Sequence, residues 1–278
     1  MRRFGLLLVL LPALAAAQES AMSAPGAAEQ SVCGFLKEPF TFWLWSRAAG
    51  SPNADAAKRL PNAESITYRT RDARELRGYR LSARAPDGRT RGALLVAQGN
   101  AMLADQLLST LDRFAAAGYD VYIFDYRGYG RSEGRPRLKA IVGDYAELHR
   151  RFIAPVDGTR LGYGISFGGI VLMNVAGGGA VFDRAAIDGT PARVSPHGCP
   201  VGYDPVEHLP GRAGGWLFVG GERDRVVPLA DSAEMLDAAR ARGARVEIGA
   251  EFAHPFMDPA YDTHQRRLAL IERFLAGR

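Results

Sequence analysis

Short, continuously apolar runs alternate along this chain with longer stretches in which apolar side chains recur every three or four residues. That alternation predicts strands and helices in turn. Residues 66–68 and 79–83 carry the first two strand patterns, joined by a polar turn and followed by the turn Pro86, Asp87, Gly88. Residues 93–97, 121–124, 159–164, 184–189, 216–219 and 246–248 supply six more. Several, such as Ala93-Leu94-Leu95-Val96-Ala97, are apolar at every position, as expected of a strand buried on both faces. Helical spacing runs through Met102, Leu103, Leu107, Leu108, Leu111 and Phe114, through residues 138–152, past residue 166 (Ile170, Leu172, Met173), over 230–241, and through Leu268, Leu270, Ile271, Phe274 and Leu275. No linker interrupts the alternation from residue 61 to 278. The pattern therefore predicts one α/β domain: an eight-stranded, mostly parallel sheet with helices on both faces. Residues 190–214 hold Pro191, Pro196, Pro200, Pro205 and Pro210 and are expected to cross the top of the sheet as a short irregular cap.

The amino-terminal sixty residues read differently. Met1-Arg2-Arg3 is a basic head, Phe4 to Leu11 a short apolar middle, and Ala15-Ala16-Ala17 a small-residue end, which predicts a secretory signal (1–17) cut after Ala17. The apolar run is too short to span a bilayer and no cysteine sits at the cut, so no stable membrane anchor is expected, and the location is periplasmic or secreted. Residues 18–60 form an arm. Its first part, 18–30, is small and polar and is expected to be mobile. Phe35, Leu36, Phe40, Phe42, Trp43, Leu44 and Trp45 follow, ahead of the break Gly50-Ser51-Pro52-Asn53. Such a cluster serves as the wall of an acyl pocket, as an interfacial contact, or simply as the arm's packing face. In an exported protein Cys33 and Cys199 are able to pair, and a bridge would stabilise by about 2–5 kcal/mol. Two separate buried thiols are the other possibility.

Composition narrows the function classes. At 278 residues, 47% hydrophobic and 23% charged, the chain has an ordinary globular composition with enough apolar residues for a full core. Removing Arg2 and Arg3 with the leader leaves 33 basic against 30 acidic side chains, and the arginines are scattered, so no nucleic-acid partner is expected. No His or Cys pair has metal-ligand spacing. Gly128-x-Gly130 and Gly162-x-Gly164 follow strands, but Glu133 and Phe167 stand where a third glycine would be, and no phosphate-loop lysine follows. No cofactor is expected.

The candidate chemistry lies in Gly164-Ile165-Ser166-Phe167-Gly168-Gly169, between a strand and a helix. Glycines on both sides of the serine suit a sharp strand-to-helix turn that projects the hydroxyl from the sheet edge. A serine hydroxyl needs a base within hydrogen-bond reach and an acid to orient that base. Of five histidines, His149 lies in a helix, His197 and His208 in the cap, and His264 in the last helix. Only His254 follows the final strand. Asp224, in the loop after the preceding strand, is the preferred acid, with Asp188 one strand earlier as its rival.

The order Ser166, Asp224, His254, each after a successive strand, resembles that of the α/β-hydrolase superfamily. Gln98-Gly99-Asn100-Ala101 is similar to the His-Gly-Asn-Ala stretch of its capless, serine aminopeptidase-like members, and Asp125-Tyr126-Arg127-Gly128-Tyr129-Gly130-Arg131-Ser132 to their Asp-x-Arg-Gly-x-Gly-x-Ser loop. The resemblance implies an oxyanion hole made by the backbone N–H groups of Asn100 and Phe167, each worth about 3 kcal/mol of barrier. One departure is visible: Gln98 stands where histidine is usual. The implied activity is hydrolysis of a small-molecule carboxylic ester or thioester, with apolar lining expected from Phe42, Trp43, Trp45 and Phe256. A peptidase or amidase of the same fold, or a non-catalytic binding protein, are the alternatives.

Overall fold

The structure, a computed structural model, describes residues 26–85 and 88–278. The expected leader (1–17), residues 18–25 of the expected mobile stretch, and two residues of the expected turn, Pro86 and Asp87, lie outside the described residues. The chain opens with α1 (Lys37–Ala48), then β1 (Ala63–Arg69), β2 (Glu75–Leu81), β3 (Gly92–Ala97), α2 (Leu108–Ala116) and β4 (Tyr119–Phe124). It continues through α3 (Leu138–Leu148), β5 (Thr159–Ile165), α4 (Phe167–Gly177), β6 (Arg184–Asp188), β7 (Trp216–Gly221), α5 (Leu229–Ala241), β8 (Arg245–Gly249) and α6 (Tyr261–Leu275). The eight strands form one sheet in the order β1-β2-β4-β3-β5-β6-β7-β8. Strand β2 runs antiparallel to both its neighbours and the remaining pairs are parallel, as the apolar pattern predicts.

The continuous apolar runs are explained by alternation between two cores. Ala93, Leu95 and Ala97 point to the face covered by α1, α3, α4 and α5, whereas Leu94 and Val96 point to the face covered by α2 and α6. Register places the carboxyl ends of the parallel strands level. Ala97 pairs with Gly164, Ile165 with Asp188, Asp188 with Val219, and Gly221 with Gly249. The loops bearing Asn100, Ser166, Asp224 and His254 therefore leave the sheet along one rim.

Several boundaries differ from the sequence reading. Strand β2 begins at Glu75, because its polar residues pair with the exposed β1 and need no apolar signal. The α-helix after β3 starts only at Leu108, since Met102 to Gln106 form a loop and a single tight turn, and α3 closes in one wide turn over His149–Ile153. Helix α1 gave no helical signal because its apolar residues lie on two faces rather than one stripe. The expectation of mobility over 18–30 fails at Glu29. Its side chain is buried and accepts from Arg74, Arg127 and the Arg135 backbone, so the arm is tied to the domain from that residue on. The cap, as expected, is irregular: three short 3-10 turns between residues 195 and 208.

Candidate active site

Ser166 sits between β5 and α4 with φ 52° and ψ −114°, in a region that non-glycine residues rarely adopt. Such a conformation costs about 1–3 kcal/mol and persists only where the surroundings enforce it. They do so here through backbone contact. A Cβ on Gly168 would fall 1.9 Å from the Ala97 carbonyl oxygen, and one on Gly164 would fall 2.7 Å from the Gly169 Cα, so strand, turn and helix close on one another without room for side chains. The Ser166 N–H donates to the Asp188 carbonyl at 2.7 Å, and the Thr190 hydroxyl donates to the Ser166 carbonyl at 2.9 Å. The hydroxyl thus projects at the amino end of α4, where the helix dipole favours negative charge.

The other two expected side chains meet it. His254 Nε2 lies 2.9 Å from Ser166 Oγ, and His254 Nδ1 lies 2.8 Å from Asp224 Oδ2. All three residues are buried. The second Asp224 oxygen, Oδ1, accepts from the Val226 and Val227 backbone N–H groups at 2.9 and 2.8 Å. Burial alone would raise the Asp224 carboxyl, but the His254 hydrogen bond and the Val227 and Val226 amides outweigh it and hold the group below its ordinary value. Asp224 therefore stays ionised, as a group that orients an imidazole must. Asp188, the rival acid, is turned elsewhere. It accepts from the Tyr163 hydroxyl at 3.3 Å and lies 3.5 Å from Arg267 Nε, and its complete burial pushes its carboxyl up.

Arg267, unnoticed in the sequence, anchors the histidine loop. This buried arginine on α6 donates to the Ala253 carbonyl at 2.8 Å and pairs with Asp258 at 3.2 Å, while Asp258 accepts the Ala253 N–H at 2.9 Å. Its guanidinium also lies 4.5 Å from the centre of the Phe252 ring. The signal was present: Arg267 interrupts the buried stripe Thr263, Arg267, Ile271, Leu275 at a spacing of one helical turn.

Asn100 and Phe167 both border the cavity beside Ser166, and among the described residues neither backbone N–H has a hydrogen-bond acceptor. The loop carrying Asn100 is steadied by the residue that departs from the usual pattern. Gln98 is fully buried, its Nε2 donates to the Phe124 carbonyl at 3.0 Å, its Oε1 lies 3.1 Å from the Tyr145 hydroxyl, and its carbonyl accepts from the Tyr126 hydroxyl at 2.6 Å.

A cavity of about 310 Å³ opens over Ser166, walled mostly by apolar side chains, among them Phe42, Trp45, Leu138, Phe167, Ile170 and Val194. Two expected lining residues are misplaced. Trp43 is 52% exposed on the outer side of α1, where it stacks on Phe40, because one helical step from Phe42 rotates a side chain about 100° away. Phe256 packs under its loop against His264 and the α2–α6 core. By contrast Phe42 and Trp45 touch the Phe167 ring, with centroids 5.5 and 5.9 Å apart. Cys33 and Cys199 form a disulfide that borders the same cavity and ties the start of α1 to the cap. Glu38, also missed in the sequence, supports that link. Its buried carboxylate accepts from the backbone N–H groups of Val32, Cys33 and Leu138. Among the described residues no cluster of His, Cys, Asp or Glu could hold a metal ion, and no helix is long and apolar enough to cross a membrane.

Residues 88–192 match the family described as serine aminopeptidase, S33. A polyketide transferase from Penicillium crustosum is 30% identical over 126 residues, covering 42% of this chain and 41% of that protein. A monoacylglycerol lipase from Mycolicibacterium smegmatis is 36% identical over 103 residues, covering 36% of this chain and 35% of that protein. The chain thus spans half or less of the length of the curated relatives it matches. Among solved structures, Thermogutta terrifontis esterase 2 phosphorylated by paraoxon superposes with a TM-score of 0.61 at 18% identity, covering 78% of this chain and 95% of that one. At that identity the likeness speaks for the fold.

Proposed function

We propose that this chain, a member of the α/β-hydrolase superfamily, is an exported serine hydrolase that cleaves carboxylic esters or thioesters through an acyl-enzyme. The observation that carries the reading is the unbroken hydrogen-bonded line from Ser166 through His254 to Asp224 at the floor of a largely apolar cavity. In the proposed cycle His254 Nε2 takes the Ser166 proton as Oγ attacks the acyl carbon, and Asp224 holds the Nδ1–H tautomer and balances the imidazolium. The Asn100 and Phe167 amides receive the tetrahedral oxyanion. The imidazolium then protonates the leaving alcohol or thiol, and water attacks the acyl-enzyme by the same route in reverse.

Ester or thioester is favoured over a peptide with a free amino terminus by the charges at the cavity. An α-ammonium group needs an unshared carboxylate. The carboxylate among the lining residues, Glu38, is consumed by three backbone donors, and the Lys37 ammonium is bonded to the His197 carbonyl. Export is supported by the leader-like residues 1–17 and by the disulfide, which persists in oxidising compartments. Purified protein should hydrolyse p-nitrophenyl acyl esters and lose that activity on Ser166→Ala. Cleavage of aminoacyl amides with no ester turnover would reverse the substrate assignment, and mature protein that does not begin near Gln18 would reverse the assignment of export.

A further inference from the structure

Helix α1 carries two apolar stripes, and the fold uses one of them. Phe42, Trp45 and Ala49 face inward, the first two against Phe167 at the cavity wall. Leu36, Phe40, Trp43 and Leu44 lie on the opposite stripe and are 77, 63, 52 and 49% exposed, with Phe35 just before them at 84%. An apolar stripe of this size left in water marks an interaction surface. The exposed charges of α1 have a single sign. Lys37 and Arg47 are exposed on the same helix, and Arg225 is exposed next to Val226, which borders the cavity. Among the described residues none of these three cations has a carboxylate partner. Glu38, the acidic residue of α1, points inward and is buried. Two further apolar side chains are exposed: Val226, which borders the cavity, at 54%, and Val201, two residues from the cavity-bordering Cys199, at 56%.

We propose that the outer stripe of α1 seats the protein on an anionic lipid surface, with the cavity mouth towards the acyl layer. Tryptophan, phenylalanine and leucine flanked by lysine and arginine are what an interfacial helix presents to a bilayer. Charge argues against the other occupants. A second copy packed by two-fold symmetry would set cations against cations, and residues 1–25 carry Arg2 and Arg3 against Glu19 alone. A lipid ester would then enter the cavity along Thr41 and Lys37, which border it on the same helix. Docking itself does not need the chemistry, but the choice of a lipid ester as substrate rests on the function proposed above.

The test is flotation of the mature chain, beginning at Gln18, with vesicles of phosphatidylcholine alone and with a third phosphatidylglycerol. Wild type is expected to float with the anionic vesicles and only weakly with the neutral ones. Phe40→Ser/Trp43→Ser should lower the bound fraction by about tenfold or more. Arg47→Glu should lower it on anionic vesicles alone, by at least about fivefold. Trp43 emission should shift to the blue on binding, a change lost in Trp43→Phe. The Phe40/Trp43 variant should keep turnover of a soluble p-nitrophenyl butyrate within about twofold while losing about tenfold on a long-chain ester embedded in anionic vesicles. Equal flotation of wild type and double variant, or equal binding to both vesicle types, would overturn the proposal, as would a wild-type dimer that the double variant dissociates. Ser166→Ala separates the two readings. It should float like wild type; flotation without turnover of any ester by wild type would fault the function alone, and ester turnover without flotation would fault the docking alone.

Discussion

Asp224→Asn changes one atom and should disable the site without unfolding it. Asp224 Oδ1 accepts two backbone N–H groups at 2.8 and 2.9 Å, so an asparagine there must keep its carbonyl oxygen on that side. Turning the amide over would lose two hydrogen bonds and face donors with donors, a penalty of about 2–4 kcal/mol. The amide NH2 is left pointing at His254 Nδ1, which must then accept. The proton moves to Nε2, the nitrogen 2.9 Å from Ser166 Oγ, and an N–H there cannot take the serine proton. The charge that balances the imidazolium is lost as well, worth about 4 kcal/mol for ions about 4 Å apart at an effective dielectric near 20. Either effect alone lowers kcat/KM by about 10²-fold or more, and together they predict a loss of about 10³- to 10⁵-fold. The assay is p-nitrophenyl ester hydrolysis, with urea unfolding on the same preparations. Stability should change by less than about 2 kcal/mol, because shape and the two backbone acceptor bonds are retained. A loss of activity under tenfold would refute the reasoning and return the acid's role to Asp188.

Three further perturbations follow from the same contacts. Gly168→Ala places a methyl 1.9 Å from the Ala97 carbonyl oxygen, two backbone segments that cannot part without opening the turn, so esterase activity should fall below detection and the melting temperature should drop in a thermal scan. Cys33→Ser, or reduction of wild type, removes the tie between α1 and the cap and should cost about 2–5 kcal/mol in urea unfolding while raising KM for long acyl chains more than for acetate. Asp125 is pushed up to about 6 by burial, against the Ala104 N–H that it accepts, with Asp105 adding to the rise. A carboxyl raised above its unfolded value stabilises the fold below about pH 4 and loses that contribution as pH climbs through about 6, so Asp125→Asn should gain about 3 kcal/mol on wild type between pH 3.5 and 7. Parallel urea midpoints across that range would contradict it.

How much of this was legible in the sequence depended on whether a signal was local. Continuous apolar runs marked the buried strands, and the glycines around Ser166 marked the turn, because a Cβ on Gly168 or Gly164 would fall 1.9 or 2.7 Å from backbone atoms, which leaves no other residue there. The partners His254 and Asp224 were found by counting strands, which works because the register brings strand ends level. Features held by distant pairing were not legible. Nothing in the sequence around Glu38 marks it as buried; its role shows only when Leu138, a hundred positions on, is seen to donate to it. Arg127 is part of a loop motif, yet its three carboxylate partners Glu29, Asp72 and Asp144 come from separate segments. The pocket wall was read half correctly for a related reason. An aromatic run says that a helix is apolar on several sides, and only the packing of α1 decides that Phe42 and Trp45 turn inward while Trp43 turns out.

The central claim, that Ser166 is a nucleophile activated by His254, is tested most directly by intact-protein mass spectrometry after exposure to paraoxon, with peptide mapping of the adduct. The account predicts a single diethylphosphoryl group, located on Ser166, absent from Ser166→Ala and formed far more slowly by His254→Ala. Folded wild-type protein that takes up no phosphoryl group, or takes it up on another residue, would contradict it.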